Sequence, residues 1–335
     1  MRLLLLALCL AAACALLALP ARPPLRCCRG LPQCYAAQGL PTLEVSMSHS
    51  WPGVYNPSLW LGSRGSCWLA ARRSLSRDAQ SDLLIARGSF ARLAQEPLLV
   101  HPEFAGLIDA RAFEFQGKAF ACAHRVGAEG EPVMCLLCAE PGLQSFADLT
   151  CESCPAGLPE KNWMPLPQMD ALYWVHTLSP FRLLRTQPFE LPLRAPLSCA
   201  PVPRPSHFKQ ARASARGSSA ACALPGSQLM LLATHRRLSG SSLSGIGAVQ
   251  EPPVYTQALV LLRARPPFEV LAETAPFALR GADAPTSVAL GRGFHFVNGL
   301  CCRGQDVIFS VGVADTLALL LVARLPAVMA LLHAL

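Results

Sequence analysis

Acidic residues are scarce in this chain. None precedes Glu44, and 335 residues carry 21 Asp and Glu against 29 Lys and Arg, a formal net charge of +8. The cations are mostly Arg with few Lys, and they are scattered along the chain instead of clustered. A nucleic-acid surface needs a basic stripe, so nucleic acid is not an expected partner. Scattered Arg suits anion recognition better, because guanidinium forks match phosphates and carboxylates. No long amphipathic helical pattern is present, which argues against a helical domain. No Asn-x-Ser/Thr acceptor occurs either, since "YNPSLW" (55 to 60) has Pro in its middle position. What is abundant is apolar sequence: 52% of the residues are hydrophobic, enough to bury a large core.

The first 24 residues, "MRLLLLALCLAAACALLALPARPP", hold one Arg ahead of an apolar run from Leu3 to Leu19, and small residues at Ala18 and Ala21. This reads as a secretory-pathway address, either a cleaved signal peptide or an uncleaved membrane anchor over residues 1–21. Arg22, Arg26 and Arg29 follow the run and outnumber the Arg before it, which argues against a simple N-in anchor. Residues 22–48 read as linker or stem, and 49–335 as the main domain. Thirteen of the 15 cysteines lie beyond the leader, as suits an oxidising lumen where disulfides persist. "CLLC" (Cys135, Cys138) and "CESC" (Cys151, Cys154) resemble zinc-ribbon spacing. A strand through "PVMCLLCAE" would aim Cys135 and Cys138 at opposite faces, so a disulfide and plain buried thiols stand beside the zinc reading. The tail "TLALLLVARLPAVMALLHAL" is interrupted by Arg324 and Pro326, which favours a final strand and short helix over a membrane span.

Strand, glycine turn and second strand recur along the chain. The runs are "SLWLGSRGSCWLAARR" (58 to 73), "ARAFEFQGKAFACAHR" (110 to 125), "ACALPGSQLMLLATHRR" (221 to 237) and "FHFVNGLCCRGQDVIFSVG" (294 to 312). The first two superimpose without a gap, pairing Gly65 with Gly117 and Arg73 with Arg125. "MDALYWVHTLSPFRLL" (169 to 184) fills the gap before the third, making five candidate blades at a propeller-like spacing. The expected fold is therefore all-β, a five-bladed β-propeller behind the leader. Polar residues at the strand ends around a central axis are the site candidates: Asn56, Arg72, Asp109, Arg111, Lys161, Asn162, Arg216, His235, Tyr255 and Asp315. Several cations and few carboxylates make a set that suits a phosphate or phosphate leaving group better than hydrolysis. An inverting hydrolase needs two carboxylates.

The stretches "YNPSLW", "DARAF", "EKNWMPL" with "LYWVHTLSPFRLL", "RGSS", "YTQALVLLRARPPFEVL" and "FVNGLCCRGQDVIFSVGVAD" occur in that order over residues 50 to 325. Together they resemble the five-bladed propellers of the β-mannoside phosphorylase and β-1,2-mannosyltransferase superfamily. The resemblance implies an inverting, metal-free enzyme with no cofactor. Its substrates would be a mannoside with phosphate, or a nucleotide sugar. Asp109 matches the family's acid in a motif that usually reads Glu-Asp-Pro-Arg and here reads Ile108-Asp109-Ala110-Arg111. Arg216 and Gly217 are kept in "RGSS", where Arg-Gly-Gly-Thr is commoner, while Lys161, Asn162 and Asp315 match outright. On this pattern Asp109 is the catalytic acid or base. Arg72, Arg111, Lys161, Arg216 and His235 surround the anion, Asn56, Asn162, Tyr255 and Asp315 complete the site, and Trp163 packs beneath it or stacks a sugar face.

Structural alternatives accompany several of these residues: an ion pair of Asp109 with Arg72 or Arg111, a core position for Trp163, a buried His235, and a capping role for Asp315. The missing Glu and Pro beside Asp109 keep open a non-catalytic propeller lectin or scaffold. A glycoside hydrolase would need Glu160 or Asp315 as its second carboxylate.

Overall fold

The computed structural model describes residues 41–62, 66–74, 81–151, 162–178, 180–203, 216–238, 254–280, 295–313 and 316–334. The leader read over residues 1–21 lies outside them, as do Lys161, Cys154, Glu160 and Asp315. Among the described residues no helix is long and apolar enough to cross a membrane.

Residues Gly39–Leu335 form one compact all-β unit. It opens with β1 (Thr42–Glu44) and β2 (Ser46–Pro52), so strand begins within the segment 22–48 read from sequence as stem. The first antiparallel run is β3 (Tyr55–Leu61), β4 (Ser66–Ser74), β5 (Ser81–Ser89) and β6 (Leu99–Val100). The second is β7 (Ile108–Phe115), β8 (Lys118–Val126), β9 (Pro132–Cys138) and β10 (Ser145–Thr150). The third comprises β11 (Met164–Pro167), β12 (Leu172–Leu178), β13 (Phe181–Thr186) and β14 (Leu197–Pro201), and joins the second through parallel β10–β14 pairing into one eight-stranded sheet. The fourth has short β15 (Arg216–Gly217) and β16 (Cys222–Ala223) on β17 (Leu229–Leu238), then β18 (Val254–Arg263) and β19 (Val270–Thr274). β20 (Ala278–Arg280) runs parallel to β1. The last run is β21 (His295–Arg303), β22 (Asp306–Val313) and β23 (Leu317–Arg324), completed by β2 from the start of the chain. The tail continues as the short helix α1 (Leu325–Ala330) and β24 (Leu332–Ala334), which pairs β19. Strand and short helix are thus what the tail forms, as its Arg and Pro interruptions imply.

The hairpins read from sequence are present, and their turn chemistry explains them. Between β7 and β8, Gln116 and Gly117 have φ of 51° and 71°. A two-residue hairpin loop that follows the twist of its strands needs left-handed backbone at both positions, and glycine supplies one without steric cost. In the third run the sequence reading was one strand late: residues 169 to 184 cover β12 and β13, while the leading strand is β11, the segment that "KNW" enters.

Strands with long buried stretches on successive residues, such as β8 and β22, must be covered on both faces. Five apolar clusters provide the cover, each spanning consecutive runs. Trp68, Ala70 and Leu83 meet Ala121, Cys135 and Leu137; Phe113, Cys122 and Cys138 meet Trp163, Trp174 and Leu184. Leu166 and Val175 meet Leu232 and Val260, and Leu231 and Leu259 meet Val307 and Phe309. The fifth cluster puts Ile308 and Leu320 of the last run against Leu59, Leu69 and Leu84 of the first. The sheets therefore stack in chain order and close on themselves.

Cysteine use differs from the sequence reading. Cys151 is disulfide-bonded, but eight described cysteines carry free thiols inside or beside the apolar clusters. Hydrophobic seams, and not a disulfide framework, hold the described fold. Cys135 and Cys138 fall in different clusters on opposite faces of β9, so the two thiols cannot grip one metal ion. Among the described residues no group of three or more His, Cys, Asp or Glu side chains is placed to hold a metal.

Candidate functional site

The leading strand of each run, β3, β7, β11, β15 and β21, contributes a polar residue at or near its start. Two of these strands open on a register shift, between Tyr55 and Ser58 and between Ile108 and Arg111. Within those shifts sit Asn56 and Asp109, with φ of 47° and 56°, and just before β11 sits Asn162 with φ of 67°. Left-handed backbone is costly for most L residues, and Asn and Asp tolerate it best. A bulge re-aims the side chain that carries it. These positions are the most unusual backbone geometry in the leading strands.

The side chains join into a closed circuit. Asn56 donates from Nδ2 to Asp109 Oδ1 at 2.7 Å. Arg111 donates from Nη2 to Asn162 Oδ1 at 2.8 Å and from Nε to the Ser218 carbonyl at 2.7 Å. Ser218 donates its hydroxyl to the Val297 carbonyl. Asn298 returns to the first two strands, donating to the carbonyls of Ala110 at 2.7 Å and Asn56 at 3.1 Å. Close backbone approach completes it: a Cβ on Gly217 would lie 2.2 Å from the Asn162 carbonyl, and one on Gly312 would lie 2.4 Å from Asn56 Oδ1. Side chain-to-backbone and side-chain pairs thus link the leading strands at this end, with the segments at β11 and β15 both held by Arg111.

Asp109 is the carboxylate that this circuit holds. Its side chain retains 21% of its exposure, and Arg72 Nη1 lies 3.4 Å from Oδ1 with 18% exposure of its own. Arg72 also lies over the Tyr55 ring, 5.1 Å from its centroid. Burial by itself would raise the Asp109 carboxyl, but Arg72, His124, the Asn56 hydrogen bond and Arg111 together outweigh it and hold the carboxyl below the usual range. Asp109 is therefore a carboxylate at neutral pH. The ionised form stabilises the fold above the unfolded carboxylate pKa of about 3.9, and that contribution is lost as pH falls through the lower folded value. The melting-temperature gap between wild type and Asp109→Asn is expected to stay constant from neutral pH to about 5 and to close below about 4.

The remaining candidates fall in three groups. Asn56, Arg72, Asp109, Arg111 and Asn162 are brought together, as the sequence reading expects. Arg111, however, is 0% exposed and bonded to protein groups, so in this structure it organises the site without facing a ligand. Trp163 is likewise 0% exposed, packed in a core cluster edge-on to His176 and tilted against Trp174. It is a core residue and not an exposed sugar platform, because the chain turns it inward between the second and third runs. Trp163→Phe should lower stability by about 2 kcal/mol, from roughly 0.8 kcal/mol per buried carbon group removed, read in a urea melt. The third group stands on β15, β17 and β18. Arg216 is exposed at the start of β15 opposite His235 of β17, and His235 is buried edge-on to Phe296 with ring centroids 4.6 Å apart. Tyr255 lies on β18 opposite Arg237. Lys161 and Asp315 lie outside the described residues.

Sequence reasoning missed Asn298, Ser218 and His124. Asn298 had a signal: an Asn-Gly pair inside the apolar run "FVNGL" marks a bulge, and β21 shifts register there, between Val297 and Gly299. Ser218 and His124 carry none.

A separate cavity of about 660 Å³ opens at the other ends of the same strands. It is lined by Trp60, Glu114, Gln168, Met230, Cys222 and Cys302 among others, and Trp60 donates its indole N–H to Glu114 at 3.3 Å.

No protein-family model matches the chain, and comparison with curated proteins by sequence gives no match. Solved structures do match. A candidate glycosidase from Bacteroides thetaiotaomicron is 15% identical with a TM-score of 0.56, over 82% of this chain and 87% of that one. The β-1,2-mannobiose phosphorylase of Listeria innocua, solved with β-1,2-mannobiose, is 16% identical with a TM-score of 0.52, over 83% and 91%. A third structure comes from the family of mannoside phosphorylases that contains glycoside hydrolases targeting β-1,2 mannosidic linkages in Candida mannan. It is 14% identical with a TM-score of 0.51, over 83% and 85%. The chain thus has the propeller-like glycosidase fold of these proteins, over 82–83% of its length.

Proposed function

We propose that this chain is an inverting carbohydrate-active enzyme, a mannosyltransferase or mannoside phosphorylase, built as a five-bladed propeller whose last blade is closed by β2. The stacked runs and the closing seam between the last run and the first support the propeller reading. The observation that carries the functional reading is Asp109: a carboxylate on left-handed backbone, in a bulge, partly open, and flanked by Asn56 and Arg72. Such outliers mark sites where geometry serves chemistry.

The charge state supports the transfer reading. A general acid at neutral pH needs a raised pKa, and the Asp109 carboxyl is held low. In the ligand-free state it suits a base. It would take the proton of an acceptor hydroxyl while that oxygen attacks the anomeric carbon of mannose and a phosphate-bearing group leaves from the opposite face. Transfer to an acceptor, from mannose 1-phosphate or a nucleotide sugar, is the favoured direction. Arg72, Lys161 and Arg216 are the cations proposed to hold the departing anion. Residues 1–21 would deliver the chain to the secretory lumen, as a cleaved signal or an anchor through residues 3–19.

A second reading rests on the same ion pair. With Asp109 committed to Arg72 and Asn56, the propeller would bind sugar without turning it over. The experiment that separates them incubates the full chain with mannosides plus phosphate, and with mannose 1-phosphate or a nucleotide mannose plus acceptors. Product in either arm supports the enzyme, and the arm that reacts gives the direction. Saturable sugar binding without product supports the lectin.

A further inference from the structure

We propose that Cys222 and Cys302 form a reversible disulfide that staples the fourth run to the fifth at the mouth of the cavity bounded by Trp60 and Glu114. Their sulfurs lie 2.9 Å apart across β16 and β21, although the two residues are 80 positions apart in the chain. No backbone pairing ties these two strands; they meet through the shared apolar cluster of the fourth and fifth runs. A covalent link there would join two strands that share no backbone ladder among the described residues.

The local chemistry separates this pair from the other cysteines. Burial pushes the Cys67 and Cys122 thiols up to about 11 and Cys135 up to about 12, leaving them protonated and inert. The hydrogen bond donated by Cys222 instead lowers the Cys302 thiol, and by the same contact Cys222 is raised. Cys302 is thus the nucleophile and Cys222 its resolving partner. Cys302 is half-buried and both residues line the cavity, so a small reagent reaches them through it. Cys301, its neighbour, points into the seam between the last run and the first and is pushed well up by burial.

The oxidant is a small-molecule disulfide. Cys302 thiolate attacks one of its sulfurs, forming a mixed disulfide and releasing one thiolate. Cys222 then loses its proton and attacks Cys302 Sγ, forming the protein disulfide and releasing the second small thiol. Two protein thiols are oxidised and one small disulfide is reduced to two thiols. Because the link closes a long loop, it should raise the melting temperature, on the order of 5 °C or more.

The test treats the folded full chain with oxidised glutathione, blocks remaining thiols, and maps peptides without reduction. The expected result is a joined Cys222–Cys302 peptide pair, with a melting temperature that rises on oxidation and returns with reductant. Cys302→Ala should show no rise. Recovery of both residues as blocked free thiols, or as separate glutathione adducts, overturns the proposal. The wild-type peptide map decides it even if the variant does not fold.

Discussion

Asp109→Asn is expected to lower the rate of glycosyl transfer by about 10² to 10⁴-fold, the range removed with a general base. The amide keeps the size of the carboxylate and can still meet the Asn56 amide across the 2.7 Å contact, so the bulge and its left-handed backbone should survive. What disappears is the proton acceptor and the charge that orients Arg72 at 3.4 Å. The loss should therefore lie in kcat, with sugar affinity changed little. An affinity loss with unchanged kcat would assign Asp109 to binding.

Arg111→Met is expected to cost about 3–5 kcal/mol of stability, seen as a large fall in the urea midpoint. Arg111 is fully buried, and its removal leaves the Asn162 side-chain oxygen and the Ser218 carbonyl without their donor. Each of the two buried acceptors left unsatisfied costs about 1–3 kcal/mol, with hydrogen bonds from a charged donor toward the upper end of that range. Three of the five leading strands, β7, β11 and β15, meet through this one guanidinium. The alternative role, a phosphate ligand, makes a different forecast: unchanged stability with a raised KM for phosphate or the phosphorylated donor. Arg111→Lys adds a check, because a single ammonium cannot reproduce two divergent bonds and should recover little of the stability.

How much of this was legible in the sequence depends on whether a feature is local. Hairpins are local: the Gln116-Gly117 turn and the repeated strand pattern lie within a few residues, so the all-β class and the register of β7 on β8 could be read directly. The cluster of Asn56, Asp109 and Asn162 was also legible, because each sits at the start of a strand in an order that resembles known propellers. The direction in which a side chain points was not. Arg111 is two residues from Asp109 along β7, yet Arg111 turns into the circuit between strands while Asp109 keeps an open face. Trp163 beside Asn162 reads either as core or as a sugar platform, and packing between the second and third runs makes it core. The cysteines show the same limit. Their number suggests a disulfide framework, whereas most described ones fill apolar seams, and the Cys222–Cys302 approach spans 80 residues that no local pattern links.

The central claim is that sugar binds at the Asp109 end of the axis and not in the cavity at the opposite strand ends. A crystal structure of the full chain with β-1,2-mannobiose and phosphate tests it most directly. The account places a mannosyl hydroxyl or bridging oxygen within hydrogen-bond reach of Asp109, with phosphate near Arg72. Sugar seated instead between Trp60 and Glu114, with the Asp109 end unoccupied, would contradict it.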